Sequence, residues 1–371
     1  MKRSAEIGWL LVLFLFFVIP SVSWFFLKEN VGNENGENRT LSDKPILSFS
    51  DIKNYPSEYE KYYNDNLPYR DFLIQCDSIF NFFLFHESSV EAVIIGKENW
   101  LFYDSRKKSD GDTLADLYGD NLFTQEELQT ICDNLSKAKD SLNAEGIQFV
   151  LFIAPNKERV YQSYLPRQYQ AAHRNCGGGR VEQLITYLHE NSDVEVVFPY
   201  DEIVKAMQEF SEYDFYYYRD THWNNLGAYV GARALLEQLN ISIPPLAETK
   251  IEPNSYGGSD LARMLHMSNI FDEELGYTVH FMPQVNYTVI NEDFYTEFRY
   301  TSESKNNEKI MVIRDSFTSA MVPYIATSFK ETVMPYADAY SKDMIAEEKP
   351  DIVVYETVER WLGNIRSFEI Y

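Results

Sequence analysis

The sequence predicts an α/β protein: a central, mostly parallel sheet with helices on both faces, preceded by a single apolar N-terminal segment. Three observations carry this. Stretches of strand length, mostly apolar, recur at 147–154 (IQFVLFIA), 194–199 (VEVVFP), 309–313 (KIMVI) and 352–355 (IVVY), and the long run in the first marks a strand covered on both faces. Helical stretches separate them, and strand–helix–strand order is the signature of parallel pairing. The 371 residues, 45% hydrophobic and 24% charged, make a globular chain with room for one large domain and an appendage.

Taken in order, residues 7–27 (IGWLLVLFLFFVIPSVSWFFL) carry no charge. A helix of that length spans about 31 Å, against a hydrocarbon core of roughly 30 Å. Lys2 and Arg3 precede it and Glu29, Glu34 and Glu37 follow. The positive-inside rule therefore keeps the N-terminus cytoplasmic and exports the rest, a single-pass protein of the cell membrane with its bulk extracytoplasmic. Trp9 and Trp24 stand near the two ends as interfacial anchors. A cleavable signal peptide ending at Ser21-Val22-Ser23 is the alternative, but the run exceeds the usual ~7–15-residue signal core and favours an anchor over 1–27.

Residues 28–90 read as a tether and juxtamembrane helices. The stretch 29–44 is polar and Gly/Asn-rich. The pattern then turns helical from Phe49 to His86 with a break at Leu67-Pro68, and shows no basic amphipathic face of the membrane-surface kind. The main domain occupies 91–371. Ala92–Tyr103 suggests a hairpin around Gly96, and Thr124 with Glu127 forms a capping box before a helix with Leu128, Ile131, Leu135 and Leu142 on one stripe. Further helices are expected over 181–189, 202–210, 226–239 and from about Phe317. Residues 240–308 read as an irregular insertion with hairpin-like pieces, and no internal repeat is present.

Composition also excludes. A formal charge of −24 repels phosphate backbones, so nucleic acid is not an expected partner. The six histidines form no HExxH or other close metal-binding pair, and the three cysteines, widely spaced, form no zinc motif or disulfide framework. No GxxxxGK[ST], GxGxxG or GxSxG occurs, which removes the commonest nucleotide-binding readings and disfavours the α/β-hydrolase fold. No cofactor or metal is expected.

In open α/β sheets the ligand site lies beyond the carboxyl ends of the strands. Those ends are Ala154-Pro155-Asn156-Lys157, Pro199-Tyr200-Asp201, Arg314-Asp315-Ser316 and Tyr355-Glu356. Ser316 leaves an apolar strand and opens a helix, where free backbone N–H groups can steady an anion; a simple helix cap occupies the same place. Asp220-Thr221-His222-Trp223 leads into the 226–239 helix. Side chains at i and i+2 of an extended segment share one side, so Asp220 and His222 project together; a helix-entry turn with a surface His222 is the plainer reading. Together the pieces supply a nucleophile, a base and an orienting carboxylate. Tyr213–Tyr218 (YDFYYY) stands just before them, as a sugar-stacking platform or as core.

These blocks resemble the DHHW family and the alginate O-acetylation-type SGNH-hydrolase-like proteins. The likeness rests on Asp220-Thr221-His222-Trp223 followed by Arg314-Asp315-Ser316-Phe317. It is supported by Asn38-Arg39-Thr40-Leu41, the Tyr63–Arg70 and Gly96–Tyr103 blocks, Pro155-Asn156-Lys157 and Gly258-Ser259-Asp260-Leu261-Ala262. The resemblance implies a three-layer SGNH-hydrolase-like α/β/α fold and an O-acetyltransferase, or an acetylesterase, acting on cell-surface polysaccharide. It implies Ser316 as nucleophile, His222 as base and Asp220 as its orienter. Asn156, Lys157, Arg314 and Trp223 are expected at the substrate or oxyanion. A membrane-bound O-acyltransferase would pass the acetyl group outward. Thr221 departs from the DHHW pattern, and Arg314 replaces the glycine usual before Asp-Ser. A non-catalytic polysaccharide-binding or assembly protein on the same fold, or a purely structural anchor, is the competing class.

Overall fold

The computed structural model describes residues 41–49, 51–67, 70–106, 111–170, 178–283 and 285–371, with single positions among residues 9–22. Most of the predicted anchor and of the tether thus lies outside the described residues, among which no helix is long and apolar enough to cross a membrane. The chain divides into two compact units, residues 1–90 with 262–271, and residues 91–261 with 272–371.

The first unit holds the helices α1 (Tyr55–Asp65) and α2 (Arg70–Phe80), the break between them falling where Leu67-Pro68 predicts it. Gln75 donates to the His266 carbonyl at 2.9 Å, and Phe82 packs edge-on against Phe271.

The second unit is built on one seven-stranded sheet in the order β4-β3-β11-β9-β10-β8-β7. Its strands are β3 (Gln148–Ala154), β4 (Glu195–Val197), β7 (Tyr287–Glu292), β8 (Glu297–Ser302), β9 (Lys309–Ile313), β10 (Glu331–Pro335) and β11 (Ile352–Val358). A hairpin, β1 (Val93–Ile95) with β2 (Leu101–Tyr103), and a second, β5 (Lys250–Gly257) with β6 (Glu273–His280), stand apart from it. From β4 to β10 all pairings are parallel, whereas β10 pairs antiparallel with β8, and β8 with β7. The apolar runs sort by residue parity, as a pleated strand requires. Val150, Phe152 and Ala154 of β3, with Ile310 and Val312 of β9, enter one core; Phe149, Leu151 and Ile153, with Met311 and Ile313, enter the other.

The helix α3 (Thr113–Tyr118) is capped by Asp112. On one face of the sheet lie α4 (Gln125–Ala144) and α5 (Arg180–Asn191), which supply Leu128, Ile131, Leu135, Val181, Leu184 and Leu188 to the second core. The Thr124–Glu127 capping box is present as predicted. On the other face α7 (Asn225–Gln238), preceded by α6 (Tyr200–Glu209), contributes Leu226, Tyr229, Ala232 and Leu236. Each such fully buried apolar side chain contributes about 1.5–3 kcal/mol.

Two expectations are corrected. The hairpin-like pieces within residues 240–308 are present, but they are longer than expected and make up more than an irregular insertion: the β5–β6 hairpin and the β7–β8 hairpin, the latter extending the main sheet. The strand β10 was hidden within the stretch expected to be helical from Phe317, which is a short 3-10 turn, Phe317–Met321, followed by a helix of one turn, Val322–Ala326.

Candidate active site

Ser316 sits at the carboxyl end of β9. Arg314 continues the ladder beyond the strand: its N–H donates to the Pro335 carbonyl (3.0 Å) and its carbonyl accepts from Ala337 (2.8 Å). The chain then folds around the Asp315 carboxylate, which accepts from the Phe317 N–H (2.8 Å) and from the Val358 N–H of β11 (2.7 Å). The Asp315 N–H in turn donates to Glu356, which also accepts from the Thr318 hydroxyl. Burial first, and the adjacent Asp315 charge second, push the Glu356 carboxyl well above its ordinary range and so favour its neutral form. Ser316 heads the 3-10 turn without capping it through its side chain. Its Oγ lies 2.7 Å from His222 Nε2 instead.

The segment carrying His222 doubles back before α7. Tyr216 and Trp223 form a bridge, and the Asn224 N–H donates to the Phe215 carbonyl at 3.0 Å. Asn224 caps α7 by accepting from Leu226 and Gly227. Gly227 is required by close approach, since a Cβ there would lie 2.4 Å from the Phe215 carbonyl oxygen. Asp220 Oδ1 accepts from His222 Nδ1 (2.6 Å) and from the His222 N–H (2.9 Å). Its Oδ2 accepts from the Asp260 N–H (3.0 Å) and the Tyr256 hydroxyl (3.1 Å).

This geometry fixes the protons. An ionised carboxylate only accepts, so Nδ1 carries the hydrogen, and Nε2 presents its lone pair to the Ser316 hydroxyl. Burial alone would raise the Asp220 carboxyl, but the His222 charge and the N–H donors outweigh it and bring it to about 2. Burial disfavours the His222 imidazolium, but Asp220 and then Asp260 outweigh that and raise its pKa. The His222 side chain remains 25% exposed, and Ser316 is half-buried, so the pair is open to an incoming molecule.

The four side chains expected beside the substrate fare differently. Lys157 is buried with its Nζ donating to the carbonyls of Leu101 (2.7 Å), Tyr218 (3.0 Å) and Asp220 (2.8 Å), and burial lowers its pKa to about 8. It therefore braces the Asp220 segment and is not free for substrate. Arg314 is fully buried, its guanidinium 3.7 Å from the Phe298 ring centre and hydrogen-bonded to the Phe294 carbonyl. Trp223 is buried and donates to the Phe317 carbonyl at 2.9 Å. These three are scaffold, and the expectation that they meet substrate is corrected. Asn156 differs. Its N–H donates to Glu359, which rules out that amide as an oxyanion donor, but both polar atoms of its buried side chain lack partners among the described residues. The aromatic run is mostly core: Phe215, Tyr216 and Tyr217 are buried, and Tyr218 stacks on Trp100.

Two neighbours of the site had no assigned role in the sequence. Asp260 accepts from the N–H (2.8 Å) and hydroxyl (2.6 Å) of Thr221 and lies 3.8 Å from His222 Nδ1. Its block, Gly258–Ala262, was visible as a family match without a role. Arg360, two residues past β11, packs over the Phe317 ring at 5.4 Å. Reading the last strand as ending at Tyr355 placed the strand end too early to include it. Ligand atoms of Asp220, His222 and Asp260 cluster within 4.8 Å. The 2.6 Å Nδ1–Oδ1 contact, however, is a hydrogen bond, too close for an ion bound by both at about 2 Å in tetrahedral geometry.

The hydrogen-bonded order of hydroxyl, imidazole and carboxylate is one that can support acyl transfer through serine. Comparisons with known proteins give a family and a fold. The family described as the SGNH hydrolase-like domain of acetyltransferase AlgX matches residues 93–351. A probable alginate O-acetylase AlgJ of Pseudomonas putida is 28% identical over 49% of this chain, a match spanning only 42% of that protein's length. The protein of the same name from Pseudomonas syringae pv. tomato is 22% identical over 82% of this chain and 77% of its own. The solved structure of Bacillus cereus PatB1 with a sulfonyl adduct superposes with a TM-score of 0.54 at 15% identity, covering 75% of this chain and 99% of that one.

Proposed function

We propose, for a chain that belongs to the SGNH hydrolase-like family of AlgX-type acetyltransferase domains, that it is a serine-dependent O-acetyltransferase of an extracytoplasmic polysaccharide. The observation that carries this reading is the hydrogen-bonded chain from Asp220 through His222 to Ser316. His222 Nε2 takes the Ser316 proton as Oγ attacks the donor's acetyl carbonyl. The leaving group departs with that proton, and an acetyl-serine remains. A sugar hydroxyl then gives its proton to His222 and attacks the acetyl carbon, and Ser316 recovers the proton as its ester bond breaks. The Ser316 N–H and the partnerless side-chain amide of Asn156 are the oxyanion donors in this reading. With water as acceptor, the same steps make an acetylesterase.

The names of the relatives, O-acetylases of alginate, support a polysaccharide acceptor. The uncharged run 7–27 supports a single-pass anchor with a cytoplasmic N-terminus. Transfer outside the cell needs acetyl groups brought across the membrane, the part assigned to a membrane-bound O-acyltransferase partner.

The test uses the full chain in detergent with a chromogenic acetyl ester. A burst of chromophore together with an acetyl-sized mass increase is expected, both abolished in Ser316→Ala and His222→Ala. Hydrolysis that persists in Ser316→Ala would sink the mechanism. Surface protease treatment of intact cells checks the topology, since an intracellular domain would survive it.

A further inference from the structure

Arg360 is 7% exposed, yet none of its guanidinium nitrogens makes a hydrogen bond or ion pair with a described residue. Its Nε is buried without a partner. The neighbouring cations are all engaged: Arg159 is paired with Glu182 and Glu359, Lys157 holds three carbonyls, and Arg314 bonds to main chain. Burying that Nε without a partner is costly, and contact of the guanidinium with the rings of Phe317 (5.4 Å) and Trp361 (5.5 Å) offsets the cost only in part.

Its placement gives the missing partner a location. The Phe317 ring lies 4.8 Å from the His222 ring, centre to centre, and Arg360 rests on the same phenyl group. The Arg360 charge is felt at His222, whose protonation it opposes, and at the buried Glu158. Otherwise the surroundings are acidic, with Asp220, Asp260 and Asp315 around the serine–histidine pair and a chain charge of −24. An anionic acceptor would be repelled from such a surface unless one cation met it.

We infer that Arg360 is the anion-recognition residue of this site, and that its ligand is an acidic group, carboxylate or phosphate, carried on the acceptor glycan. This rests on the acyl-transfer reading above. The planar fork of arginine suits such oxyanions, and a sugar hydroxyl at Ser316 with an acidic substituent nearby would span the Phe317 ring between the two residues.

Calorimetry on the full chain in detergent tests this without turnover, so it stands or falls apart from acetyl-serine formation. Three probes are compared: an oligouronide, its carboxyl-reduced neutral counterpart, and a phosphodiester-linked glycan oligomer. Wild type is expected to bind one acidic oligomer at least about tenfold more tightly than the neutral one, the scale of a charge-assisted hydrogen bond. Which acidic probe is preferred identifies the group. Arg360→Gln should abolish the preference and Arg360→Lys restore part of it, with thermal unfolding verifying that both variants are folded. Equal binding of all three probes by wild type overturns the proposal, as does a preference that survives in Arg360→Gln.

Discussion

Asp220→Asn puts the site's electrostatics to a quantitative test. Both oxygens of Asp220 accept from two donors: Oδ1 from the His222 N–H and Nδ1, Oδ2 from the Asp260 N–H and the Tyr256 hydroxyl. An amide has one oxygen to give. With its NH2 toward His222 it would oppose the main-chain N–H and force the wrong tautomer. With its NH2 toward Asp260 it opposes one N–H only, because the Tyr256 hydroxyl can rotate to accept. The second orientation wins and keeps Nδ1 protonated. One unsatisfied buried N–H costs about 1–3 kcal/mol, against the roughly 5–15 kcal/mol that holds a domain folded. The variant therefore folds, and what it loses is charge. Two unit charges about 4 Å apart at an effective dielectric near 20 interact by about 4 kcal/mol. Losing that from the imidazolium formed in the transition state slows the reaction by about 10³. Direction in pH gives a second reading. His222 must be neutral to accept the Ser316 proton, so wild-type activity rises with pH through a midpoint above 6.5. Asp220 is the main cause of that elevation, and its removal moves the acid limb to lower pH. Ester hydrolysis followed across the neutral range measures both effects. A rate within tenfold of wild type, or an acid limb that stays in place, would refute the reasoning.

Two further substitutions separate scaffold from chemistry. Lys157→Met removes one donor from three buried carbonyls and should destabilise the domain by about 2–4 kcal/mol; urea unfolding reads this, and a loss under about 1 kcal/mol would show that the ammonium does not brace the Asp220 segment. Glu356→Gln replaces a neutral acid with a neutral amide that can still accept from Asp315 and Thr318. Because the folded-state pKa is raised, the wild-type contribution is full below the unfolded value of 4.5 and declines as pH rises through the folded one. The glutamine variant should lose that decline and match or exceed wild type in alkaline solution; an unchanged pH slope would mean Glu356 is ionised in the fold.

The fold was legible where burial is two-sided. Phe149–Ala154 of β3, Ile310–Ile313 of β9 and Ile352–Tyr355 of β11 are apolar without a break because both faces are covered, so a plain count of apolar residues locates them. The strand β7 carries no such mark. It is the exposed edge of the sheet, TVINE after Tyr287, and only its partner strand makes it a strand. In β10 five residues ending in Pro335 are too few to show a period, and their core contacts come from across the sheet. Lys157 was misjudged for the opposite reason. Lysine after a strand end is normally solvated, and only the convergence of three carbonyls from distant segments makes its burial tolerable.

The serine turn shows why a motif can fail where the local geometry survives. A glycine before Asp-Ser is dispensable here because Arg314 stays in extended ladder geometry, hydrogen-bonded on both sides, and Ser316 has ordinary right-handed angles (φ −70°, ψ −22°). Asp315 carries the turn, joining the start of the 3-10 segment to β11 through its two oxygens. The large Arg314 side chain fits because Phe294, Phe298 and Tyr336 form an aromatic box around its guanidinium, and Phe294 and Phe298 belong to the hairpin region that the sequence showed only as irregular. The β7–β8 addition and the arginine are therefore coupled features: removing the aromatic wall would leave the guanidinium unpacked one residue from Asp315 and two from Ser316. Asp220 and His222 needed no such context, because two residues in one extended lead-in suffice to bring a carboxylate to an imidazole. What the sequence leaves unreadable is that Asp260, Glu356 and Arg360 converge on the site, Asp260 through Thr221, Glu356 through Asp315 and Arg360 through Phe317.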